Sequence, residues 1–283
     1  MTADSGDVAA LTAPAFQARK GGLPLVCVTA YDAPMARLAE RAGVDAILVG
    51  DSLGPNVLGY DSEIRVTVDD IVHHCAAVAR AIRHTLVVAD MPFMSYATES
   101  DALRNAARCL QQGGAAAVKL EGGVATAPIT RALVARGIPV LAHVGLTPQS
   151  VNALGGYRVQ GHDLSSAQYV VDGARAQAES GAFGIVLEAI PIRLAERLTQ
   201  TLPIPTIGIG AGPHCDGQIQ VLYDLLGFRQ HHQPRHTKVF EDVAGAVERA
   251  LTAYAGEVRA KSFPADQHGF KIQHGVLENL RFD

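Results

Sequence analysis

The sequence contains no tryptophan, and aromatic residues make up only 5% of it, so a site built from stacked aromatic rings has little to draw on. Cysteine is sparse: Cys27, Cys75, Cys109 and Cys215 are scattered, with no C-x-x-C pair. That spacing argues against a zinc site or a disulfide framework and for buried, reduced thiols. There is no dense run of Lys or Arg, and the formal net charge is -4, which removes the electrostatic basis for binding nucleic acid or an anionic membrane. No apolar stretch is long enough to cross a bilayer. Met1-Thr2-Ala3-Asp4-Ser5-Gly6-Asp7 carries acids where a secretory signal carries bases, and no apolar run follows, so a cytoplasmic protein is expected. Neither a P-loop Lys-Ser/Thr pattern nor H-E-x-x-H occurs.

What is present is a recurring unit. A short apolar run ends in Gly or a polar residue, and an Ala/Leu-rich segment follows. Seven such runs start at Leu25, Ala46, Leu86, Ala116, Pro139, Gly184 and Pro205. They are continuous rather than alternating, which suits strands covered on both faces. The segments between them read as helices. Pro34 to Ala42 stops at Gly43, Thr67 caps a helix reaching toward Arg83, and Thr98 or Ser100 caps Asp101 to Gln112. Ser165 or Ser166 caps a helix ending near Gly181, and Pro191 to Thr201 forms another. With 283 residues, 48% of them hydrophobic, the chain fits one (β/α)₈ barrel domain, with about 1–22 and 264–283 as additions. The eighth strand is expected near Gly227-Phe228-Arg229-Gln230; an open doubly wound sheet is the alternative.

The chemistry collects where the runs end, at what would be the C-terminal rim of a barrel. Asp51-Ser52 follow the second run, Asp90 follows the third, Lys119 and Glu121 close the fourth, His143 follows the fifth, and Glu188 follows the sixth. Any one acid there could be a helix cap or a solvated loop residue. Five consecutive strands ending this way point to a site. Carboxylates converging in a partly dry rim repel one another unless a cation neutralises them, and Mg²⁺ is held by a few carboxylates. Asp51, Asp90 and Glu121 are the candidate ligands, and Lys119 is the candidate contact for an anionic substrate group. Gly208-Ile209-Gly210-Ala211-Gly212 is a poor dinucleotide fingerprint, because Pro213 replaces the third glycine. It either binds phosphate or permits close packing, and packing is preferred. His231, His232 and His236 form either a metal cluster or packing and solvated histidines, with the second preferred.

These residues resemble a known family. Val49-Gly50-Asp51-Ser52-Leu53-Gly54, Ala89-Asp90-Met91-Pro92-Phe93, Val118-Lys119-Leu120-Glu121-Gly122-Gly123, His143-Val144-Gly145-Leu146-Thr147-Pro148-Gln149-Ser150, Gly155-Gly156-Tyr157, Leu187-Glu188 and the Gly208–Gly212 turn resemble 3-methyl-2-oxobutanoate (ketopantoate) hydroxymethyltransferase in order and spacing. The resemblance runs from about Leu25 to Gly227. It implies a TIM barrel of the phosphoenolpyruvate/pyruvate type, Mg²⁺, a homodecamer, and one-carbon transfer from 5,10-methylenetetrahydrofolate to a small 2-oxo acid. It assigns Asp51 and Asp90 as metal ligands and Glu121 as a metal-site acid. Ser52, Asp90 and Lys119, with Asp51 beside them, correspond to substrate contacts, and Glu188 to the proton-abstracting base. Apolar neighbours such as Leu187 and Ile190 are expected to raise the pKa of Glu188, and His143 either orients an oxygen or packs. The family usually carries an aromatic residue where His236 stands. Two alternatives stay open: a metal-dependent carbon–carbon lyase on the same barrel, and a non-catalytic metabolite-binding barrel.

Overall fold

In the computed structural model, which describes residues 10–228 and 234–282, the strands are Leu25–Thr29 (β1), Ala46–Val49 (β2), Leu86–Asp90 (β3), Ala117–Glu121 (β4), Val140–Gly145 (β5), Gly184–Glu188 (β6), Thr206–Ile209 (β7) and Gly217–Gln220 (β8). All neighbouring pairs are parallel, and β8 pairs with β1, which closes the barrel and rules out the open sheet. The helices are Ala13–Gln17 (α1), Ala33–Arg41 (α2), Val68–Ala79 (α3), Glu99–Gln111 (α4), Ala127–Val134 (α5), Val151–Leu154 (α6), Leu164–Glu179 (α7), Ile192–Thr201 (α8), Leu222–Leu225 (α9) and Val243–Arg259 (α10).

The side-chain period of two along each strand decides what the barrel holds. Leu48, Val88, Ala117, Leu141, Val186, Ile207 and Ile219 form one buried cluster inside. Ile47, Val87, Val118 and Leu120 belong to an outer core shared with α3 and α4, and Val144, Ile185 and Leu187 to an outer core shared with α7 and α8. Phe16 of α1 joins the inner cluster and meets Phe183 edge to face, with ring centroids 5.5 Å apart, so the N-terminal addition plugs the barrel floor. Thr67 and Thr98 accept hydrogen bonds from the backbone N–H of Asp70 and Asp101, as capping residues do. The cap of α7 corrects the expectation: Asp163 is the N-cap, and Ser166 sits at the third helical position and returns a bond to it.

The eighth strand is also a correction. It is Gly217–Gln220, which follows β7 after the turn at 210–216 with no helix between. Gly227 and Phe228 lie beyond α9, and Arg229, Gln230, His231 and His232 fall outside the described residues. β8 escapes an apolar-run reading because its outward Gln218 is exposed and only Ile219 points into the barrel core. Val26, outward on the adjacent β1, is exposed too, and no residue of α10 is buried. Among the described residues no helix covers this part of the wall. In the turn before β8, Gly210 and Gly212 have φ of 65° and 81°, and a Cβ on Gly212 would press on Ile192, which supports the close-packing reading of this glycine run. Cys27, Cys75 and Cys109 are buried and free, and Cys215 is free and half-buried. Among the described residues no helix is long and apolar enough to cross a membrane.

Asp216, just before β8, ties the floor together. Its carboxylate accepts from Lys20 Nζ (2.8 Å), Gly21 N–H (3.0 Å), Thr206 N–H (2.8 Å) and Thr206 Oγ1 (3.0 Å). Burial acts to raise its pKa, but the Lys20 ammonium and the backbone donors outweigh it and hold the carboxyl below the usual range. A depressed carboxylate contributes stability that is present above its unfolded pKa, near 4, and is lost as pH falls through the folded value. Asp216→Ala should therefore lose about 3 kcal/mol of unfolding free energy at neutral pH, by denaturant titration. Its gap from wild type should narrow as the titration is repeated below about pH 4.

Candidate active site

The inward parity set by Val88, Ala117, Leu141 and Val186 continues to Asp90, Lys119, Glu121, His143 and Glu188, so β3 to β6 deliver their last polar residues to one mouth. Asp51 and Ser52 arrive from the turn after β2. Gly50 lets them approach: a Cβ there would lie 3.0 Å from Ser52 Oγ and 3.5 Å from Asp90 Oδ2. Asp51, Asp90, Lys119, Glu121 and His143 are each no more than 5% exposed. With Ser52 and Glu188 they line a cavity of about 480 Å³, a size typical of small-molecule sites.

Lys119 Nζ is 2.8 Å from Asp90 Oδ1 and 3.5 Å from Glu121 Oε1. The backbone N–H of Asp51 donates to Asp90 Oδ2 at 3.2 Å. His143 spans two acids, with Nδ1 3.4 Å from Glu121 Oε1 and Nε2 3.2 Å from Glu188 Oε2. Burial raises the Asp51 pKa well above the carboxylate range, and the neighbouring Asp90 and Glu121 charges raise it further. Burial likewise raises Asp90, against the pull of Lys119. Burial would raise Glu121 too, but Lys119 and His143 win and hold it low. Burial and the Lys119 charge both oppose protonation of His143, yet its contacts with Glu121 and Glu188 push its pKa up to about 9. His143 is therefore a cation between two carboxylates at neutral pH. Lys119 stays charged, because Asp90, Glu121 and Asp51 outweigh its burial.

The structure thus brings together Asp51, Ser52, Asp90, Lys119, Glu121, His143 and Glu188. It differs over the surroundings of Glu188: Leu187 faces the outer core, and the group that meets the Glu188 carboxylate is His143. Among the described residues no three or more His, Cys, Asp or Glu side chains, Asp51, Asp90 and Glu121 included, are grouped so as to hold a metal by themselves; His231 and His232, the partners expected for His236, lie outside the described residues. His236 instead lines the cavity, and its ring lies close to Gly210. Sequence reasoning passed over Gln149 and Tyr96. Gln149 lies inside the quoted Thr147-Pro148-Gln149-Ser150 stretch, but an amide carries no charge signal and was not singled out. Tyr31 was also missed; its hydroxyl lies 2.9 Å from Ser52 Oγ.

A parallel barrel with charged groups gathered at its C-terminal mouth defines a class, and solved structures share that fold. Phosphonopyruvate hydrolase, in a complex with oxalate and Mg²⁺, matches with a TM-score of 0.60 at 15% identity over 93% of both chains. 2,3-Dimethylmalate lyase, a member of the PEP mutase/isocitrate lyase superfamily, matches with a TM-score of 0.57 at 18% identity over 92% of both. Sequence relatives narrow the class. The 3-methyl-2-oxobutanoate hydroxymethyltransferase of Carboxydothermus hydrogenoformans is 50% identical over 93% of this chain and 95% of its own. That of Moorella thermoacetica is 52% identical over 92% and 98%. The family model described as ketopantoate hydroxymethyltransferase matches residues 10–266, and this chain belongs to that family.

Gly145 places Glu188. Its φ is 98°, it pairs with Glu188 across β5 and β6, and a Cβ on it would collide with the Glu188 carbonyl. Gly145→Ala should lower kcat about 100-fold through misplacement of Glu188. Circular dichroism should still show a folded barrel; unchanged kcat would mean the register between β5 and β6 does not set the carboxylate.

Proposed function

We propose that the chain transfers a hydroxymethyl unit from 5,10-methylenetetrahydrofolate to C3 of 3-methyl-2-oxobutanoate, with water consumed, giving 2-dehydropantoate for pantothenate synthesis. The observation that carries this reading is the separation of Glu188 from the other acids. Its carboxylate, 16% exposed, borders the cavity and meets only the protonated His143 among the site's charged groups, while Asp51, Asp90 and Glu121 are gathered around Lys119. Family membership supplies the substrate class.

A divalent cation fits the donor set. Asp51 and Asp90 are buried side by side with Glu121, and burial together with like charge raises both, so added positive charge there would favour their ionised forms. Hard carboxylate oxygens suit Mg²⁺. Asp51 and Asp90 would hold the ion, with Glu121 behind them through water. Bound there, Mg²⁺ would supply positive charge that polarises the keto group of the 2-oxo acid. Lys119 has three N–H bonds and two acidic neighbours, so one donor remains for the substrate carboxylate, and Ser52 Oγ offers a second contact. Glu188 removes the proton from C3. His143, 3.2 Å from Glu188 Oε2, orients its carboxylate for that transfer and can then donate toward the product oxygen. The carbon left behind bonds to the methylene carbon as that carbon's two bonds to the folate nitrogens break; water supplies the product hydroxyl, and the protons from C3 and from the water end on the two nitrogens of the departing tetrahydrofolate.

The bare wall at Val26 and Gln218 and the exposed apolar residues Leu251 and Tyr254 of α10 support self-association, for which a homodecamer is the expected size. The chain would act in the cytoplasm.

Turnover should require the 2-oxo acid, methylenetetrahydrofolate and Mg²⁺, each omitted in turn. In D₂O without folate, C3 of the 2-oxo acid should exchange, and Glu188→Gln should slow that exchange by about 100-fold or more. Undiminished exchange in the variant would remove the base assignment; folate-independent cleavage of a 2-oxo or 2-hydroxy acid would favour a lyase. Sedimentation velocity should give a decamer, and a monomer would overturn the assembly.

A further inference from the structure

Gln149 follows β5 in the short helical turn Pro148–Ser150 and is 4% exposed. Its side chain and backbone touch the ends of three strands. Its Nε2 donates to Asp51 Oδ2 at 2.8 Å and to the Met91 carbonyl, next to Asp90, at 2.9 Å. Its own backbone N–H donates to Glu121 Oε2 at 3.1 Å. Its Oε1 accepts from the Tyr96 hydroxyl at 2.7 Å, and that hydroxyl accepts the Glu121 backbone N–H at 3.3 Å. Both amide hydrogens are thus committed to acceptors, one of them a main-chain carbonyl that can only accept. The amide orientation is fixed, and Asp51 Oδ2 always meets a donor.

We propose that Gln149, braced by Tyr96, is a positioning residue that fixes the rotamer of Asp51 and the spacing of Asp51 from Glu121, so that the Asp51 carboxylate is pre-set to receive the divalent cation. This role rests on the functional reading above. Three buried acids brought together repel one another, and without a fixed donor Asp51 would turn away from Asp90 and Glu121. Gln149 supplies a donor that adds no charge, and so leaves the cation something to neutralise. It commits one Asp51 oxygen and leaves Oδ1 with both lone pairs for a ligand. A lysine in its place would neutralise the acids and compete with the ion.

The test uses the full-length protein and Mn²⁺ as the probe, its affinity read from the free-ion electron paramagnetic resonance signal without substrate. Gln149→Met keeps the volume and removes the donors. It should weaken Mn²⁺ about 10- to 100-fold. Placed on Asp51→Asn, the same change should add less than about threefold, because the two residues act as one unit. Tyr96→Phe, a milder change, should shift Mn²⁺ affinity in the same direction with the melting temperature unmoved, and should raise KM for the 2-oxo acid more than it lowers kcat. Mn²⁺ affinity within about twofold of wild type in both variants, or a loss from Gln149→Met that is undiminished on the Asp51→Asn background, overturns the positioning role. A melting-temperature drop in Tyr96→Phe without any change in Mn²⁺ affinity overturns it as well, since the brace is then only structural. A wild type that binds Mn²⁺ but shows neither C3 exchange nor hydroxymethyl transfer overturns the functional reading instead, and the affinity comparison still decides the role of Gln149.

Discussion

The buried ion pair between Lys119 and Asp90 is the contact on which the rest of this molecule's chemistry depends. Asp51, Asp90 and Glu121 are all within a few per cent of complete burial at one barrel mouth. Carboxylates taken out of water either pair, bind a cation or protonate. Lys119 reaches two of them, at 2.8 and 3.5 Å, from the middle of β4, where its neighbours along the strand are apolar core residues. A lysine there has no solvated alternative. The barrel therefore holds both its cation and its acids in place before any ligand arrives, and binding need not order them.

That placement follows from strand parity, and parity is also what made most of the site legible in the sequence. Continuous apolar runs marked β1 to β7 to within a residue or two at most ends, and in β3 to β6 the polar residue ending the run is the one that points inward. Lys119 and Glu121 fall two apart on one strand, so they face the same way. That legibility ends at β8, because a continuous apolar run marks only a strand with two covered faces and a helix on either side. β8 follows β7 without a helix, shows an exposed Gln218, and touches a stretch of wall that nothing in the described chain covers. A strand with one bare face carries no continuous apolar run. The Asp163 cap was missed for a different reason: Ser165 and Ser166 compete with it within three residues, and only geometry shows which oxygen meets an orphan N–H.

Charge was the signal by which the sequence revealed the site, and neutral polar residues were invisible to it. Gln149, Tyr96 and Tyr31 have ordinary compositional neighbours and no spacing rule. Yet Gln149 bonds to two of the three acids and to the main chain beside the third. A buried network in which each donor meets an acceptor is rigid as well as satisfied, and in a low-dielectric mouth a half-satisfied one would be costly. The acids name the chemistry; the amide and hydroxyls fix the geometry in which it can occur.

The division of labour among the four carboxylates then follows from distance to positive charge. Asp90 and Glu121 share Lys119, and Glu121 also meets one side of His143. Asp51 has the most unfavourable environment, raised by burial and by two like charges, and is the position at which added positive charge does most good. Glu188 stands across His143 from the cluster, with its carboxylate partly exposed to the cavity. Glu188 thus has no neighbouring acid to share a proton with, whereas Asp51, Asp90 and Glu121 are coupled to one another, so a proton added to any of them shifts the other two. His143 keeps Glu188 apart from the cluster: its ring fills the space between Glu121 and Glu188, 3.4 and 3.2 Å from their carboxylates, so Glu188 borders the cavity without joining the acids gathered on Lys119.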